Sequence, residues 1–345
     1  NRTIEEQISV NGLHSINFRE ARGGKKGKGQ RMKDEDVETG TIVSIRLPLS
    51  GDCMTSSIWT PLRQPVFRAL WLAAIASNVG TWMQSVGGAW LMTSLTPSPL
   101  IVALMQTATS LPMFLVGLPA GAIADIVDRR RLLLFWEAWM LVSAAILGVL
   151  TLTGSVDVWL LLWLTFSIGL GTAMVAPAWQ AIVPELVSRA ELPAAVALNG
   201  ISINAARAVG PAIGGLVVAT LGAGAVFLLN ALSFVGVLVV LWRWKRQSRP
   251  SALPAERLTG AMQAGLRYVR HAPILQAVFM RTIVFMSGAS ALWALLPVVA
   301  RLELNLTATG YGALLGCMGV GAIAGGLAIP RVRQHLSTNQ MALLA

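Results

Sequence analysis

The sequence predicts an all-α integral membrane protein. Hydrophobic residues make up 54% and charged residues 12% of the 345 residues, and the mean hydropathy is +0.64. Soluble domains carry about 25% charged residues, so this composition excludes an ordinary soluble protein. Long apolar runs recur along the chain, and turn residues or short charged stretches separate them.

Eight segments have the length and apolar character of membrane-spanning helices. Such a helix needs roughly 20 mostly apolar residues, and the segments that meet this requirement are 68–93, 99–123, 131–153, 157–179, 194–220, 223–243, 274–299 and 307–329. Short connections such as "TPSP" and "LGAG" predict that consecutive helices run antiparallel.

Composition divides the chain into four regions. Residues 1–57 are polar, mixed in charge and low in hydrophobicity, which predicts a disordered N-terminal extension. Residues 58–243 hold six spans, and residues 274–345 begin a second block with two. The basic connection at 244–273 predicts an interfacial amphipathic helix, because apolar residues recur at helical spacing, namely Leu258, Met262, Leu266 and Val269.

The net charge of +11 is distributed in a way that predicts orientation. Most basic residues beyond residue 57 precede the first span or lie in alternate connections, and such residues stay on the cytoplasmic side. We therefore expect a cytoplasmic N-terminus and no nucleic-acid partner. The two cysteines and three histidines are scattered, so we expect no metal site and no cofactor.

Polar side chains within spans indicate a pathway, because they are costly in hydrocarbon unless they face protein or water. The candidate cavity residues are Asn78, Thr81, Gln84, Gln106, Asn204 and Arg207. Hydrogen bonding between helices is the alternative for each of them. For Arg207, an anionic substrate, a backbone carbonyl and Glu137 remain open as partners.

Acidic residues matter if protons drive the protein. Glu137 lies within the third span and Asp125 at the end of the second, so both are candidates for proton coupling. A structural alternative for Glu137 is an ion pair with an arginine of the neighbouring connection.

Four stretches carry a resemblance to a known family. "GAIADIVDRRR" resembles the loop 2–3 signature of the major facilitator superfamily, with matching positions at Gly121, Asp125, Arg129 and Arg130, although Asp128 stands where glycine is common. "SNVGTWMQSVGGAWLM", "AMVAPAWQAIVPELV" and "NAARAVGPAIGG" narrow the resemblance to transmembrane secretion effectors, which include enterobactin-exporter-like proteins. The last stretch resembles the helix 5 motif of exporters through Gly210, Pro211, Gly214 and Gly215.

The resemblance implies a bundle of twelve helices in two six-helix halves, of which eight would be present here in a C-terminally incomplete chain. It also implies a monomeric secondary transporter of the bacterial inner membrane that exports a siderophore, drug or other small molecule by alternating access, with proton antiport. We expect no transport from residues 1–345 alone. A membrane sensor or scaffold and a membrane-embedded enzyme are the alternatives, and the enzyme is disfavoured because no catalytic cluster is visible.

Two roles are predicted within these motifs. Gly121 would permit close approach of a neighbouring helix, while Asp125 and the following arginines would form a cytoplasmic clasp that stabilises one facing of the transporter. The glycines around Pro211 would let another helix pack closely against the fifth span.

Overall fold

The computed structural model describes residues 4–8, 14–18, 57–244, 267 and 269–332, with side chains from 57 to 325 within these ranges except 274 and 323. The chain divides into two compact units, residues 1–55 and 56–345. In the first unit, β1 (Ile4–Ile8) pairs antiparallel with β2 (His14–Phe18). These strands are not among the elements predicted from the sequence, and residues 19–56 lie outside the described ranges.

The second unit consists of long helices. They are α1 (Pro65–Leu95), α2 (Pro99–Ile126), α3 (Arg129–Leu152), α4 (Val158–Leu186), α5 (Leu192–Leu221), α6 (Ala223–Arg243), α7 (Pro273–Val298) and α8 (Ala308–Val332). A 3₁₀ turn precedes α1 at Thr60–Arg63, and a π-helical turn at Val299–Glu303 follows α7. The predicted all-α fold is confirmed.

The helices reproduce the predicted spans to within three residues at each end, with one exception. Helix α4 continues beyond the predicted end at 179 to Leu186, and Pro184 lies inside its last turn. By length and composition, α2 to α6 and the segment Leu275–Glu303 could each cross a membrane. The predicted amphipathic helix between α6 and α7 lies almost entirely outside the described residues.

Local sequence accounts for where the helices begin. Proline occupies the first turn of α1 and α2 at Pro65 and Pro99, where its missing N–H breaks no helical hydrogen bond. Asp128 and Asp157 cap α3 and α4, because their carboxylates accept backbone N–H groups at 2.9 and 2.7 Å. Gly222, with φ +84°, makes the abrupt turn between α5 and α6.

The first six helices share a packed core. Helix α1 packs against α5 and α6, α2 packs against α4, and α3 packs against α4 and α6. One cluster of buried apolar residues lies near the connection between α2 and α3 and includes Leu70, Ala124, Leu133, Ile182 and Leu241. A second lies toward the opposite ends of the helices and includes Met92, Met105, Leu147, Leu161 and Phe227.

The outside of the bundle is apolar. Phe114, Trp163 and Val284 are 84%, 69% and 72% exposed, and many other large apolar side chains share this exposure. Such a surface is unfavourable in water but suits contact with lipid chains. The structure is therefore that of a multi-pass membrane protein. The first block of helices is α1 to α6, and the second block is α7 and α8. Helix α8 packs against α5, and α7 packs against α2.

Candidate functional site

Arg129 links three segments at one end of the bundle. Its Nη1 donates to Glu185 Oε1 at 2.8 Å and to the backbone carbonyl of Ala181 at 3.2 Å, both on α4. Its Nη2 lies 3.7 Å from Asp125 Oδ1 on α2. The Asp125 side chain is 77% exposed whereas that of Glu185 is 24% exposed, so the pair with Glu185 is the better shielded.

The neighbouring residues attach the same loop to α6. Arg130 donates from Nε and Nη2 to the carbonyls of Leu241 and Trp242, each at 2.7 Å. These carbonyls end α6, so Arg130 satisfies orphan acceptors and complements the negative end of the helix dipole. Asp128, in place of the family's glycine, caps α3. The loop motif thus ties α2, α3, α4 and α6 together within the first block.

Gly121 does not have the predicted role in helix packing. A Cβ at this position would have no neighbour within 4 Å. The expectation of close helix approach at Gly121 is therefore wrong, because the surface of α2 is open at this level.

The helix 5 motif mediates close packing on two sides of α5. A Cβ at Gly210 would lie 2.6 Å from Trp82 Cβ, and one at Gly214 would lie 2.8 Å from Met83 Cα, both on α1. At Gly215 it would lie 2.6 Å from the carbonyl oxygen of Ala308 on α8. Real side chains do not tolerate such distances from backbone atoms, so glycine is required here.

Glycines of α8 complete this contact between the two blocks. A Cβ at Gly312 would lie 2.5 Å from the carbonyl oxygen of Pro211, and one at Gly319 would lie 2.5 Å from Ala208 Cα. Helices α5 and α8 therefore meet backbone to backbone over about two turns, as small residues allow in membranes.

Gln84 does not line an open cavity. It is 8% exposed, and its Oε1 accepts a hydrogen bond of 2.5 Å from Nδ2 of the fully buried Asn230 on α6. Gly80 makes room for this pair, because a Cβ there would lie 2.5 Å from Asn230 Oδ1. Asn230 was not among the residues predicted from the sequence, although an asparagine in the middle of an apolar span was the available signal.

Three other polar candidates bond within their own helices. Thr81 donates to the carbonyl of Ser77 at 2.9 Å, Gln106 to Ser110 Oγ at 3.1 Å, and Asn204 to the carbonyl of Gly200 at 2.9 Å. Asn204 is exposed, while Asn78, Thr81 and Gln106 are half-buried. An apolar groove with a cavity volume of about 510 Å³ lies between α1 and α6, and none of the candidate residues lines it.

Arg207 lies between the two blocks. Its guanidinium carbon is 5.4 Å from the centre of the Trp82 ring on α1, in cation–π geometry. The Trp82 ring is 6.1 Å from that of Trp293 on α7. Glu137 does not pair with Arg207, since the ion pairs among the described residues both involve Arg129. Neither tryptophan was predicted from the sequence, because the candidates were chosen for polar side chains.

Glu137 is buried on α3. The residue is 4% exposed, and its Oε2 has no hydrogen-bond partner among the described residues. It lies on the face of α3 that carries the buried residues Leu133 and Met140. The predicted ion pair with a loop arginine is not formed, because Arg129 and Arg130 point to α4 and α6 instead.

A second polar contact joins the blocks near the connection between α7 and α8. Arg301 Nη1 donates to Thr93 Oγ1 at 2.9 Å, and its guanidinium carbon is 5.3 Å from the centre of the Trp90 ring. The Trp90 ring in turn stacks on Tyr311 of α8, with ring centres 6.2 Å apart. We call Arg301, Thr93, Trp90 and Tyr311 the α1–α7–α8 latch.

The fold and these contacts between helix blocks define a multi-pass helical membrane protein with the architecture of the major facilitator type. The chain belongs to the transmembrane secretion effector family, whose model matches residues 56–345. The family resemblance seen in the sequence is thus confirmed. The family model and the curated relatives describe transporters, not enzymes.

Curated relatives agree with this assignment. The staphyloferrin A transporter of Staphylococcus aureus is 25% identical over 270 residues, which cover 77% of this chain and 67% of that protein. The multidrug efflux pump Tap of Mycolicibacterium fortuitum is 30% identical over 216 residues, covering 60% and 52%. The enterobactin exporter EntS of Escherichia coli O1:K1 / APEC is 26% identical over 286 residues, covering 81% and 67%.

A solved structure shows the same fold. A bacterial homologue of the human lysosomal transporter Spinster, in an inward-facing and unoccupied conformation, superposes with a TM-score of 0.62 at 13% identity, covering 80% of this chain and 64% of that one. The chain spans between about half and two thirds of the length of these relatives.

Proposed function

We propose that the protein is a secondary transporter that exports a small molecule by alternating access. The observation that carries this proposal is the contact between blocks, where α5 and α8 meet through glycines while Arg207 lies close by. Close, side-chain-free packing lets two rigid blocks rock against each other around a site between them. The relatives named as a staphyloferrin A transporter, an enterobactin exporter and a multidrug efflux pump support a siderophore, drug or similar compound as substrate.

We further propose that the protein lies in a bacterial inner membrane as a monomer with its N-terminus in the cytoplasm. The arginines of the loop between α2 and α3 support this orientation under the positive-inside rule. Single cysteines at Ser155 and Ser188, which lie in successive connections, would test it in a variant with the native cysteines replaced. An impermeant maleimide added to intact cells should label the cysteine at 155 and not that at 188, and the reverse pattern would invert the topology.

We propose Glu137 as the group that couples transport to protons. Its burial and its unpartnered Oε2 support this role, since a coupling acid must exchange its proton between two environments. Asp125, the other candidate, is 77% exposed and contacts Arg129, which suits a structural role better. With Glu137→Gln, we expect efflux to lose its dependence on a pH gradient while substrate binding persists. Retained dependence would refute the coupling role, and Asp125→Asn is the matched control.

Efflux from proteoliposomes tests the function itself. Vesicles containing the full-length protein that includes this chain would be loaded separately with enterobactin, staphyloferrin A and ethidium, and release would be measured with and without a pH gradient. Release above that of empty vesicles supports a transporter, and Gly215→Val should abolish it by separating α5 from α8. Failure of all three compounds to leave the vesicles would favour the remaining alternative, a membrane sensor or scaffold.

A further inference from the structure

We infer that Arg207, Trp82 and Trp293 form a binding site for a flat organic anion, such as an aromatic carboxylate, between the two blocks of helices. The inference rests on the proposed transport function and specifies the class of substrate. The three residues come from α5, α1 and α7, so the site spans both blocks.

Arg207 brings a positive charge to this site. The residue lies about half way along α5, where a charge is costly in a bilayer. Its Nε is buried and has no hydrogen-bond partner, and none of the carboxylates in the described part of the chain pairs with it. The Trp82 ring offsets part of the cost through its π face but leaves the buried Nε–H without an acceptor. An anion is the ligand that would satisfy it.

The two tryptophans indicate the shape of the ligand. The Trp82 ring lies 5.4 Å from the Arg207 guanidinium carbon, and the Trp293 ring lies 6.1 Å from the Trp82 ring at an inclination of 47°. A guanidinium binds a carboxylate through two parallel hydrogen bonds. A flat apolar group attached to that carboxylate would then stack against the tryptophans. The arrangement therefore favours an anion that carries an aromatic ring over a compact inorganic anion.

Close helix contacts hold Arg207 and Trp82 in place. Gly210 lies three residues after Arg207, and its backbone approaches Trp82 so closely that a Cβ would lie 2.6 Å from Trp82 Cβ. On the other side of α5, a Cβ at Gly319 would lie 2.9 Å from the carbonyl oxygen of Arg207. Backbone contacts with α1 and α8 thus fix the positions of Arg207 and Trp82 before a ligand arrives, which favours affinity.

Binding of three matched probes tests the inference. Equilibrium dialysis would compare naphthalene-2-carboxylate, its neutral carboxamide and adamantane-1-carboxylate on the whole detergent-solubilised chain, with empty micelles subtracted. We expect the naphthoate to bind roughly tenfold or more tightly than the carboxamide, as for a hydrogen-bonded charge pair. We expect about a two- to tenfold advantage over the adamantane compound, as for an aromatic contact.

Variants assign these preferences to the named residues. Arg207→Gln should remove the preference for the anion, and Trp82→Leu should remove the preference for the aromatic ring while keeping that for charge. Arg281→Gln and Trp163→Leu are matched controls, since both residues are exposed and neither belongs to the site, and they should change neither preference.

Three results would overturn the site: equal binding of naphthoate and carboxamide, a charge preference that survives Arg207→Gln in a well-folded variant, or equal effects of Trp82→Leu and Trp163→Leu. If Arg207→Gln fails to fold, Arg207→Lys replaces it as the test. Loss of the paired hydrogen bonds in Arg207→Lys should still weaken naphthoate binding severalfold. Unchanged naphthoate binding would refute the site. Efflux without any charge preference would refute this site alone. Charge-selective binding without efflux of any compound would instead refute the transport function.

Discussion

The pair between Arg129 and Glu185 offers the sharpest test of how the loop between α2 and α3 is held. The two side chains are 27% and 24% exposed, and the hydrogen bond between them is 2.8 Å long. A charge-assisted bond that is largely shielded contributes about 1.5–3 kcal/mol. We therefore expect Glu185→Gln to lower the free energy of unfolding by about 1–2 kcal/mol, because the carbonyl of Ala181 still accepts from Arg129.

Asp125→Asn is the matched comparison. Its contact with the same arginine is 3.7 Å and its side chain is 77% exposed, so we expect a loss below about 0.5 kcal/mol. Titration with a denaturing detergent would measure both values, and Arg129→Gln would complete double-mutant cycles with each acid. Equal effects of the two acid substitutions, or a larger coupling to Asp125, would refute this account of the loop.

The same variants bear on the predicted clasp. If these contacts stabilise one facing of the transporter, Glu185→Gln should shift the balance between inward- and outward-facing forms more than Asp125→Asn does. Distances between spin labels on the two blocks would report this balance. A balance that neither substitution alters would limit the loop to a structural role within the first block.

Three further predictions follow from contacts between helices. Gly215→Val should separate α5 from α8 and lower the free energy of unfolding by about 1–3 kcal/mol. Gly321→Ala is the control and should be tolerated, because a Cβ there meets no neighbour within 4 Å. Thermal unfolding in detergent would compare the two variants. Asn230→Ala should cost about 0.5–2 kcal/mol by leaving Gln84 unpaired in the core, and replacing both residues with alanine should recover part of the loss in the same assay. Arg301→Gln should weaken the α1–α7–α8 latch and widen the distance between spin labels on α1 and α8.

One experimental result would contradict each of these predictions. Equal melting of the two glycine variants would show that α5 and α8 are not tightly packed. A double alanine variant as unstable as the sum of its single variants would show that the two amides do not interact. For the latch, Glu303→Gln is the control because Glu303 is exposed in the same π-helical turn. Equal label distances in both variants would mean that Arg301 does not hold the blocks together.

The helices and their order along the chain can be predicted from the amino-acid sequence alone. In a bilayer each spanning helix satisfies its own backbone hydrogen bonds, so a window of about 20 apolar residues is a sufficient signal. Proline and aspartate at the starts of α1, α2, α3 and α4 act over a few residues and are equally visible in the sequence. The end of α4 was misplaced because Pro184 and Glu185 suggest a connection, although the structure places them in its last turn.

Which side chains contact each other depends on the tertiary packing of the helices. Composition marks Arg207, Gln84 and Arg129 as costly in or near the membrane, but it does not give their partners. Those partners are Trp82, Asn230 and Glu185, and they depend on the rotation of each helix about its axis and on how closely neighbouring backbones approach. Both quantities are set by contacts between residues far apart in the chain, such as Gly210 against Trp82 and Gly312 against Pro211. A periodic apolar pattern in lipid carries little information about these contacts, because every face of a spanning helix can be apolar.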